Sequence, residues 1–290
     1  MGQAKQTRFH SFKRIAIYAL SAAAILCFSM LLLSRFTFKN TPGSPVLKHI
    51  DNGPGSNADK NKANAGYADD NSDKKETNLP AGTDMDNHLD ALAIKGQKVA
   101  YLTFDDGPSP KTTPKILSIL NSYNIKGTFF VIGKLAAANR DLIVAEKEAG
   151  ETIGNHTYSH DYNYLYQNPQ NLLDDISKCS ETIHSILGPD YDIKYVRFPG
   201  GSFGKKLEPF RMAVSGAGYS FIDWNSLNGD AEGTNIPPDK LLDRLKQTSK
   251  GKNTLVILMH DAPAKQTTVQ ALPQIIEYLK SQGYIFKALG

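Results

Sequence analysis

The stretch KVAYLTFDDGP, Lys98–Pro108, predicts a strand with an unusual end. Its apolar start is typical of a buried β-strand, and Gly107 and Pro108 force the chain to turn after it. Between these two parts stand two adjacent aspartates, Asp105 and Asp106. Because like charges at such short range repel, each carboxylate resists ionisation unless a positive group lies close by. The stretch therefore predicts a strand that brings two carboxylates to a cationic partner.

Further along the chain, short apolar runs alternate with helix-length amphipathic segments. The seven strand candidates are KVAYLTF, GTFFVIG, TIGNH, KYVRFPG, YSFIDWN, TLVILMH and YIFKAL. Such strand–helix repetition predicts a parallel sheet wound with helices. We expect an α/β fold, a compact and incomplete (β/α) barrel of about seven parallel strands. An open doubly wound sheet is the alternative.

The N-terminal region predicts a membrane anchor. Residues 15–33, IAIYALSAAAILCFSMLLL, carry no charge and approach the ~20 residues that a spanning helix needs. Four basic residues in 1–14 predict that this segment stays in the cytoplasm and that the rest is exported. We therefore expect a single-pass signal anchor at the cell membrane. A cleaved signal peptide is the alternative, although its small residues, SAAA, lie in the middle of the apolar run.

Residues 34–95 are rich in Asn, Asp, Lys, Gly and Pro and lack apolar periodicity, which predicts a flexible, disordered extracellular tether. Residues 96–290 then form the globular domain. The net charge of +4 and the lack of a basic stripe interleaved with aromatics give no reason to expect a nucleic-acid partner. Cys27 lies in the apolar segment and Cys179 is alone in the exported part, so we expect Cys179 to pack as a small apolar residue.

Ionisable and aromatic residues gather at the ends of five strand candidates. In chain order they are Asp105 and Asp106, His156 and His160, Arg197, Asp223 and Trp224, and His260. The carboxyl edge of the strands is where active sites assemble in barrels and in open α/β sheets. This common position favours the barrel and predicts an active site at that edge.

His156 and His160, in HTYSH, stand at i and i+4, so a helical turn would present both imidazoles to one ion. One carboxylate of the aspartate pair would complete a His₂Asp set, which leaves positions open for water and substrate. A divalent cation there also answers the problem of adjacent charges. It neutralises one aspartate as a ligand and favours ionisation of the other.

Two further motifs add candidate catalytic groups. Arg197, in RFPGG, is a second candidate partner for the free carboxylate, and the glycines expose N–H groups suited to an oxyanion. His260, in LMHD, is a candidate general acid, with Asp223 near to orient and charge it. The other histidines receive no function.

Taken in order, TFDDGP, HTYSH, RFPGG, DW and LMH resemble the five motifs of the polysaccharide deacetylases of carbohydrate esterase family 4, the NodB-like domain. The resemblance covers about Gly96 to Gly290 and implies a distorted (β/α) barrel. The anchored layout is similar to that of Gram-positive peptidoglycan deacetylases. The resemblance therefore implies a catalytic domain that removes N-acetyl groups from N-acetylglucosamine of peptidoglycan, and we expect that domain to be monomeric. The alternatives are chitin-like or other acetylated glycans, or a catalytically vestigial glycan-binding protein.

The resemblance also implies a role for each residue of the site. Asp105 would be the catalytic base, held by Arg197. Asp106, His156 and His160 would hold a divalent metal, usually zinc in this family, with cobalt as the alternative.

The remaining roles concern the acid and the groove. Asp223 would orient His260, the general acid. The N–H of Gly200 would help to bind the oxyanion, and Trp224 and Leu258 would line the groove for the acetyl methyl group. Many members have Tyr where Gly200 stands, so this chain lacks a side chain that could shape the substrate groove.

Overall fold

The computed structural model describes residues 89–290. The predicted cytoplasmic segment, the membrane anchor and most of the tether therefore lie outside the described residues. Within 89–290, no helix combines the length and the apolar character that crossing a bilayer requires. Residues 89–92 are helical, and the side chains of Leu89 and Leu92 pack against a buried cluster of the domain.

Strands and helices alternate along this part of the chain. The strands are β1 (Lys98–Gly107), β2 (Thr128–Val131), β3 (Thr152–Asn155), β4 (Tyr195–Val196), β5 (Ser220–Phe221), β6 (Ser226–Leu227), β7 (Thr254–His260) and β8 (Tyr284–Lys287). The helices are α1 (Thr113–Ser122), α2 (Gly133–Ala138), α3 (Arg140–Glu148), α4 (Tyr162–Leu165), α5 (Pro169–Leu187), α6 (Glu208–Gly216), α7 (Pro238–Ser249) and α8 (Gln266–Ser281), with a 3₁₀ turn at Lys205–Leu207.

All strand pairs in the described sheet are parallel, and the order is β5-β4-β3-β2-β1-β7-β6. β1 lies at the centre. It pairs with β7 along Val99–Asp105, while its other edge pairs first with β8 and then with β2. The predicted α/β class and parallel sheet are confirmed.

The two end strands of the sheet, β5 and β6, are close neighbours in sequence. Between them, the Ile222 N–H donates to the Val196 carbonyl on the β4 side (3.0 Å), and the Asn225 N–H donates to the Val256 carbonyl of β7 (3.1 Å). The chain therefore crosses the opening of a half-barrel and is hydrogen-bonded to both of its sides. The strand that we predicted from YSFIDWN is present but shorter, because only Ser220–Phe221 pairs there; the backbone then crosses to β7, and β6 begins at Ser226, just after the predicted run.

Side-chain alternation along β1 separates two layers of core. Ala100, Leu102 and Phe104 face the helices, whereas Val99 and Tyr101 face the barrel interior. Because successive side chains of a strand point to opposite faces, a slip of one residue would exchange the layers, so the register is strongly specified.

Cys179 of α5 is fully buried in the helix-facing layer, as predicted. Burial raises the pKa of its thiol well above the usual range. The residue therefore packs as a small apolar side chain and stays protonated.

Candidate active site

The two aspartates at the end of β1 are separated by a local break in the strand. Asp105 continues the inward-facing series of Val99 and Tyr101, and it is almost fully buried. Asp106 has a φ of 72°, and the pairing register with β2 shifts between Asp105 and Gly107. Aspartate tolerates this left-handed conformation better than most residues. The break therefore lets two neighbouring carboxylates reach the same edge of the barrel with different partners.

Asp105 is paired with a buried arginine inside the barrel. Arg197 Nη1 donates to Asp105 Oδ1 at 2.9 Å and also contacts Thr103 Oγ1 at 2.6 Å. The guanidinium is fully buried and is held further by the main-chain carbonyls of Ile222 and Asp223. A charge-assisted pair in a buried setting fixes geometry more firmly than an exposed one.

The guanidinium of Arg197 also packs on an aromatic face. Its Cζ atom lies 4.0 Å from the ring centroid of Phe130 and 5.8 Å from that of Trp224. Cation–π contacts of this kind are attractive when the cation is desolvated. Arg197 is thus confined by hydrogen bonds and by two rings, which keeps the Asp105 carboxylate in one orientation.

Asp106 lies between the two histidines of HTYSH. Its Oδ1 atom is 3.4 Å from Nε2 of His156 and 3.2 Å from Nε2 of His160. The three residues offer one ligand atom each, and these atoms lie within 4.8 Å of one another. His156 Nδ1 donates to the carbonyl of Arg197 at 2.9 Å, so the lone pair of the neutral ring is on Nε2, facing Asp106.

The helical turn that we predicted for HTYSH is wrong. Residues 156–160 form an irregular loop in which Thr157 and His160 have positive φ values of 63° and 52°. The carboxylate of Asp175, on α5, accepts the N–H groups of Tyr158 (2.6 Å) and Ser159 (2.8 Å). The imidazoles therefore meet because a buried side chain from another element holds the loop, not because of helical spacing.

The electrostatics of this trio favour a cation between its members. Burial opposes the ionisation of Asp106, but contact with His156 and the neighbouring histidine charges keep the pKa of the carboxyl far below its usual range. Burial lowers the pKa of His160 to about 4. Burial also acts to lower the pKa of His156, but the Asp105 and Asp106 charges raise it overall. An ionised carboxylate thus faces at least one neutral imidazole near pH 7.

A divalent metal fits these residues. Asp106 Oδ1 is buried, yet among the described residues it has no hydrogen-bond partner of good geometry. Ligand atoms about 2.0–2.1 Å from a tetrahedral zinc ion are about 3.3 Å apart, close to the 3.4 and 3.2 Å measured from Asp106 to the two imidazoles. Two nitrogens and one carboxylate are also a donor set that zinc accepts in catalytic sites.

His260 ends β7, directly beside Asp105 in the pairing register. Its Nδ1 atom lies 2.7 Å from Oδ1 of Asp230, and its main-chain N–H donates to Oδ2 of the same carboxylate. Burial acts to lower the pKa of His260, but the Asp230 charge and hydrogen bond outweigh it and raise the pKa to about 9. His260 is therefore protonated at neutral pH, as a general acid must be.

The prediction that Asp223 orients His260 is wrong, because Asp230 makes that contact. Asp223 instead accepts hydrogen bonds from the N–H (2.9 Å) and hydroxyl (2.6 Å) of Ser202. The reason is the crossing of the barrel opening: Asp223 stays near the β4 side, whereas Asp230 follows β6 beside β7. Thr268 of α8 also donates to Asp230, at 2.7 Å.

The three residues predicted for the oxyanion and the groove have two different settings. Gly200 is exposed with a φ of 74°, and no hydrogen bond among residues 89–290 uses its N–H group. Trp224 and Leu258 are buried in one interior cluster, and the Trp224 ring packs edge-on against Phe203 at 5.2 Å between centroids. Their predicted contacts with the oxyanion and the acetyl methyl group remain predictions.

Two functional residues escaped the sequence reasoning. Asp230, in LNGDA, follows a Gly and lies seven residues past the aspartate that we chose. A second acidic residue before the next helix was the available signal for it. Asp175 stands in the adjacent pair Asp174–Asp175 on a helix, and only its apolar neighbours indicated that it faces inward.

Comparisons with known proteins agree with this geometry. A family model described as polysaccharide deacetylase matches residues 93–222. The chain is similar to the putative polysaccharide deacetylase YheN of Bacillus subtilis, with 33% identity over 205 residues, which cover 70% of this chain and 71% of the relative. It is also similar to a peptidoglycan-N-acetylglucosamine deacetylase of Bacillus cereus, with 34% identity over 197 residues, covering 67% of this chain and 70% of the relative.

A solved structure shows the same similarity in three dimensions. The structure of a Streptococcus mutans CE4 esterase matches with a TM-score of 0.63 and 33% identity. The match covers 67% of this chain and 87% of that chain. The fold of this domain therefore has a counterpart among solved structures.

Proposed function

The chain belongs to the polysaccharide deacetylase family, and on that premise we propose that it hydrolyses the N-acetyl groups of a cell-wall glycan. N-acetylglucosamine of peptidoglycan is the proposed substrate, and acetate and a free amine are the products. The observation that carries the proposal is the meeting of three groups at one edge. These groups are a carboxylate held by arginine, a carboxylate between two histidines, and a histidine charged by a buried aspartate.

We assign the metal to the set of Asp106, His156 and His160, with zinc as the proposed ion and cobalt as the alternative. A divalent cation held there supplies Lewis-acid polarisation of the acetamide carbonyl and lowers the pKa of water. The pairing of Asp105 with Arg197 leaves that carboxylate outside the metal set and holds its orientation. This separation of the two aspartates supports their unlike roles.

The remaining steps use the protein's own groups. Asp105 accepts a proton from the attacking water, while Arg197 holds the carboxylate in place. The N–H of Gly200 donates to the oxyanion that develops on the acetamide oxygen. His260, charged by Asp230, then gives its proton to the departing nitrogen, which leaves as an amine.

The test compares two adjacent substitutions in the purified full-length chain. Acetate release is measured with N-acetylglucosamine oligomers and with peptidoglycan, and bound metal is measured in parallel. We expect Asp105→Asn to abolish turnover and retain metal, because Asp105 is held by arginine. Asp106→Asn should lose both, because it removes the carboxylate ligand.

Three outcomes would contradict parts of the proposal. Loss of metal in Asp105→Asn alone would show that Asp105 is the metal ligand and Asp106 the base. Chelator-insensitive hydrolysis would remove the metal from the mechanism; the expected result is loss of activity, with recovery on adding zinc or cobalt. Binding of oligomers without acetate release by the unchanged chain would favour a vestigial glycan-binding protein.

We also propose that residues 15–33 anchor the protein in the cell membrane, with the catalytic domain outside and a monomer as the working unit. The uncharged run and the basic residues before it support this topology. Fractionation of cells that produce the chain should find it with the membranes, and protease added outside should digest it. Protein that remains in the soluble fraction would contradict the anchor.

A further inference from the structure

Gly200 lacks a side chain, and another residue occupies the adjoining space. A Cβ atom at position 200 would lie 3.1 Å from Cε1 and 3.2 Å from the hydroxyl of Tyr162. Tyr162 is the first residue of α4, which follows the histidine loop in the chain, so its ring approaches Gly200 from a different element. The aromatic ring thus lies beside the N–H group that we assign to the oxyanion.

The position of Tyr162 is built by its neighbours. The carboxylate of Asp161 accepts the N–H groups of Asn163 and Tyr164, which caps the short helix at its first turn. At the helix end, the Tyr166 hydroxyl donates to the carbonyl of Pro199 at 2.6 Å and fixes α4 against the RFPGG turn. This hydrogen bond therefore fixes the position of α4 relative to the RFPGG turn.

The ring of Tyr162 is also adjacent to the metal set. It packs edge-on against His160, with 5.4 Å between ring centroids, and against Tyr166 at 6.0 Å. Despite these contacts Tyr162 is 47% exposed. One part of the ring is fixed by protein, and the rest faces solvent at the mouth of the site.

We propose that Tyr162 is the sugar-binding platform of this active site. It would take the pyranose ring of the N-acetylhexosamine whose acetamide enters the metal site. The face of an aromatic ring carries partial negative charge and is apolar, so it is complementary to the C–H groups on a sugar face. The inference rests on the proposed function, and it adds the residue that positions the glycan where the side chain at position 200 is missing.

The test measures binding separately from chemistry. In the zinc-loaded full-length chain, Asp105→Asn blocks turnover, so an N-acetylglucosamine tetramer can be titrated at equilibrium by calorimetry. Adding Tyr162→Ala to this background should weaken binding about ten-fold, whereas Tyr162→Phe should bind as its parent does. Tyr164→Ala is the matched control, because Tyr164 is 39% exposed on the same helix and has no ring contact with His160 within the described residues. It should bind as its parent does.

In the active chain, Tyr162→Ala should raise KM for the tetramer with a smaller effect on kcat, because the platform holds ground state and transition state alike. Binding of the tetramer within two-fold of the parent overturns the inference. Loss of zinc in Tyr162→Ala also overturns it, since the ring would then act through His160. Tyr162-dependent binding by a chain that releases no acetate refutes the proposed hydrolysis and leaves the platform intact.

Discussion

At the scale of single residues, the charge on His260 depends on one buried carboxylate. Asp230 is itself held by three donors, the His260 N–H, the His260 ring and Thr268. Burial raises the pKa of Asp230, but the His260 charge and these hydrogen bonds lower it overall. A carboxylate fixed in this way remains ionised and keeps the imidazole protonated.

Asp230→Asn should therefore move the alkaline limb of the pH–activity profile. The folded-state pKa of His260 is raised to about 9, so the acid is present below that pH and is lost as the pH rises through it. Without the carboxylate charge this pKa falls, and the limb should shift to lower pH by about one unit or more. The measurement is kcat/KM at about ten pH values between about 6 and 10.

Asp223→Asn is the control for that profile, because Asp223 bonds to Ser202. It should leave the position of the alkaline limb unchanged even if the rate falls. A shift in this variant and none in Asp230→Asn would restore Asp223 to the role that the motif order first indicated.

Part of this site could be predicted from the sequence, and the rest could not. The alternation of side chains along β1 distinguishes the two aspartates, because it places Asp105 on the same inner face as Val99 and Tyr101. The choice between Asp223 and Asp230 depends on which edge of the barrel the chain has reached, and local pattern holds no information on that point.

At the scale of elements, the metal ligands depend on how the loop after β3 is held. Two of its N–H groups are accepted by Asp175 of α5, and Asn155 accepts the N–H of Thr157 at 2.8 Å. The Asn155 amide in turn donates to α5. The loop and the helix therefore form one hydrogen-bonded unit that positions both histidines.

Asp175→Ala should weaken metal binding by about 10- to 100-fold, the usual effect of removing a group that orients ligands. Competition with a chromophoric chelator measures the affinity directly. Asp174→Ala is the control, since Asp174 is exposed and contacts only Gln170 among the described hydrogen bonds. Equal zinc affinity in both variants would show that the loop holds its shape without Asp175.

The end of β1 depends on the absence of a side chain at Gly107. At Gly107, a Cβ atom would collide with the carboxylate of Asp261, which is fully buried and bonded to Thr113. Gly107→Ala should lower the free energy of unfolding by about 1–3 kcal/mol, as overpacking does. Thermal unfolding would show this loss as a lower Tm.

The cause of that loss can be separated by a second substitution. In the Asp261→Ala background the obstacle to a Cβ at position 107 is gone, so adding Gly107→Ala should cost less than it does in the unchanged chain. Equal losses in both backgrounds would place the cause in the backbone of β1 and not in the collision.

At the scale of the whole molecule, the half-barrel is held together where the chain crosses its opening. The side chain of Asn225 accepts the N–H of Val256 at 2.9 Å and donates to the carbonyl of Thr254 at 2.8 Å. It thereby continues the main-chain bond from the same residue to β7. One amide side chain closes the β7 side of the crossing.

Asn225→Ala should lower the free energy of unfolding by about 2 kcal/mol, because it leaves the buried N–H group of Val256 unpaired. For a domain of this size the Tm should fall by about 4–8 °C. Asn163→Ala on the exposed face of α4 is the control and should change the Tm little. An unchanged Tm in Asn225→Ala would show that the main-chain bonds alone hold the crossing.

The alternation of apolar runs and amphipathic segments was enough to predict a parallel α/β sheet with the site at its carboxyl edge. It did not predict the crossing, because β5 and β6 are two residues each and only four residues separate them. Hydrogen-bond partners far along the chain separate the two strands, and such partners leave no local periodicity.

The central place of β1 has a consequence for how the molecule is made. Its neighbours β7 and β8 belong to the last part of the described chain. One hydrogen bond from β1 to β7, from the Thr103 hydroxyl to the Ile257 carbonyl, spans 154 residues. A nascent chain that already carries Asp106, His156 and His160 still lacks the strand on which His260 stands. Sheets closed by such distant pairings fold slowly, because loop-closure entropy must be overcome first. An incomplete chain therefore has its metal ligands before it has its acid.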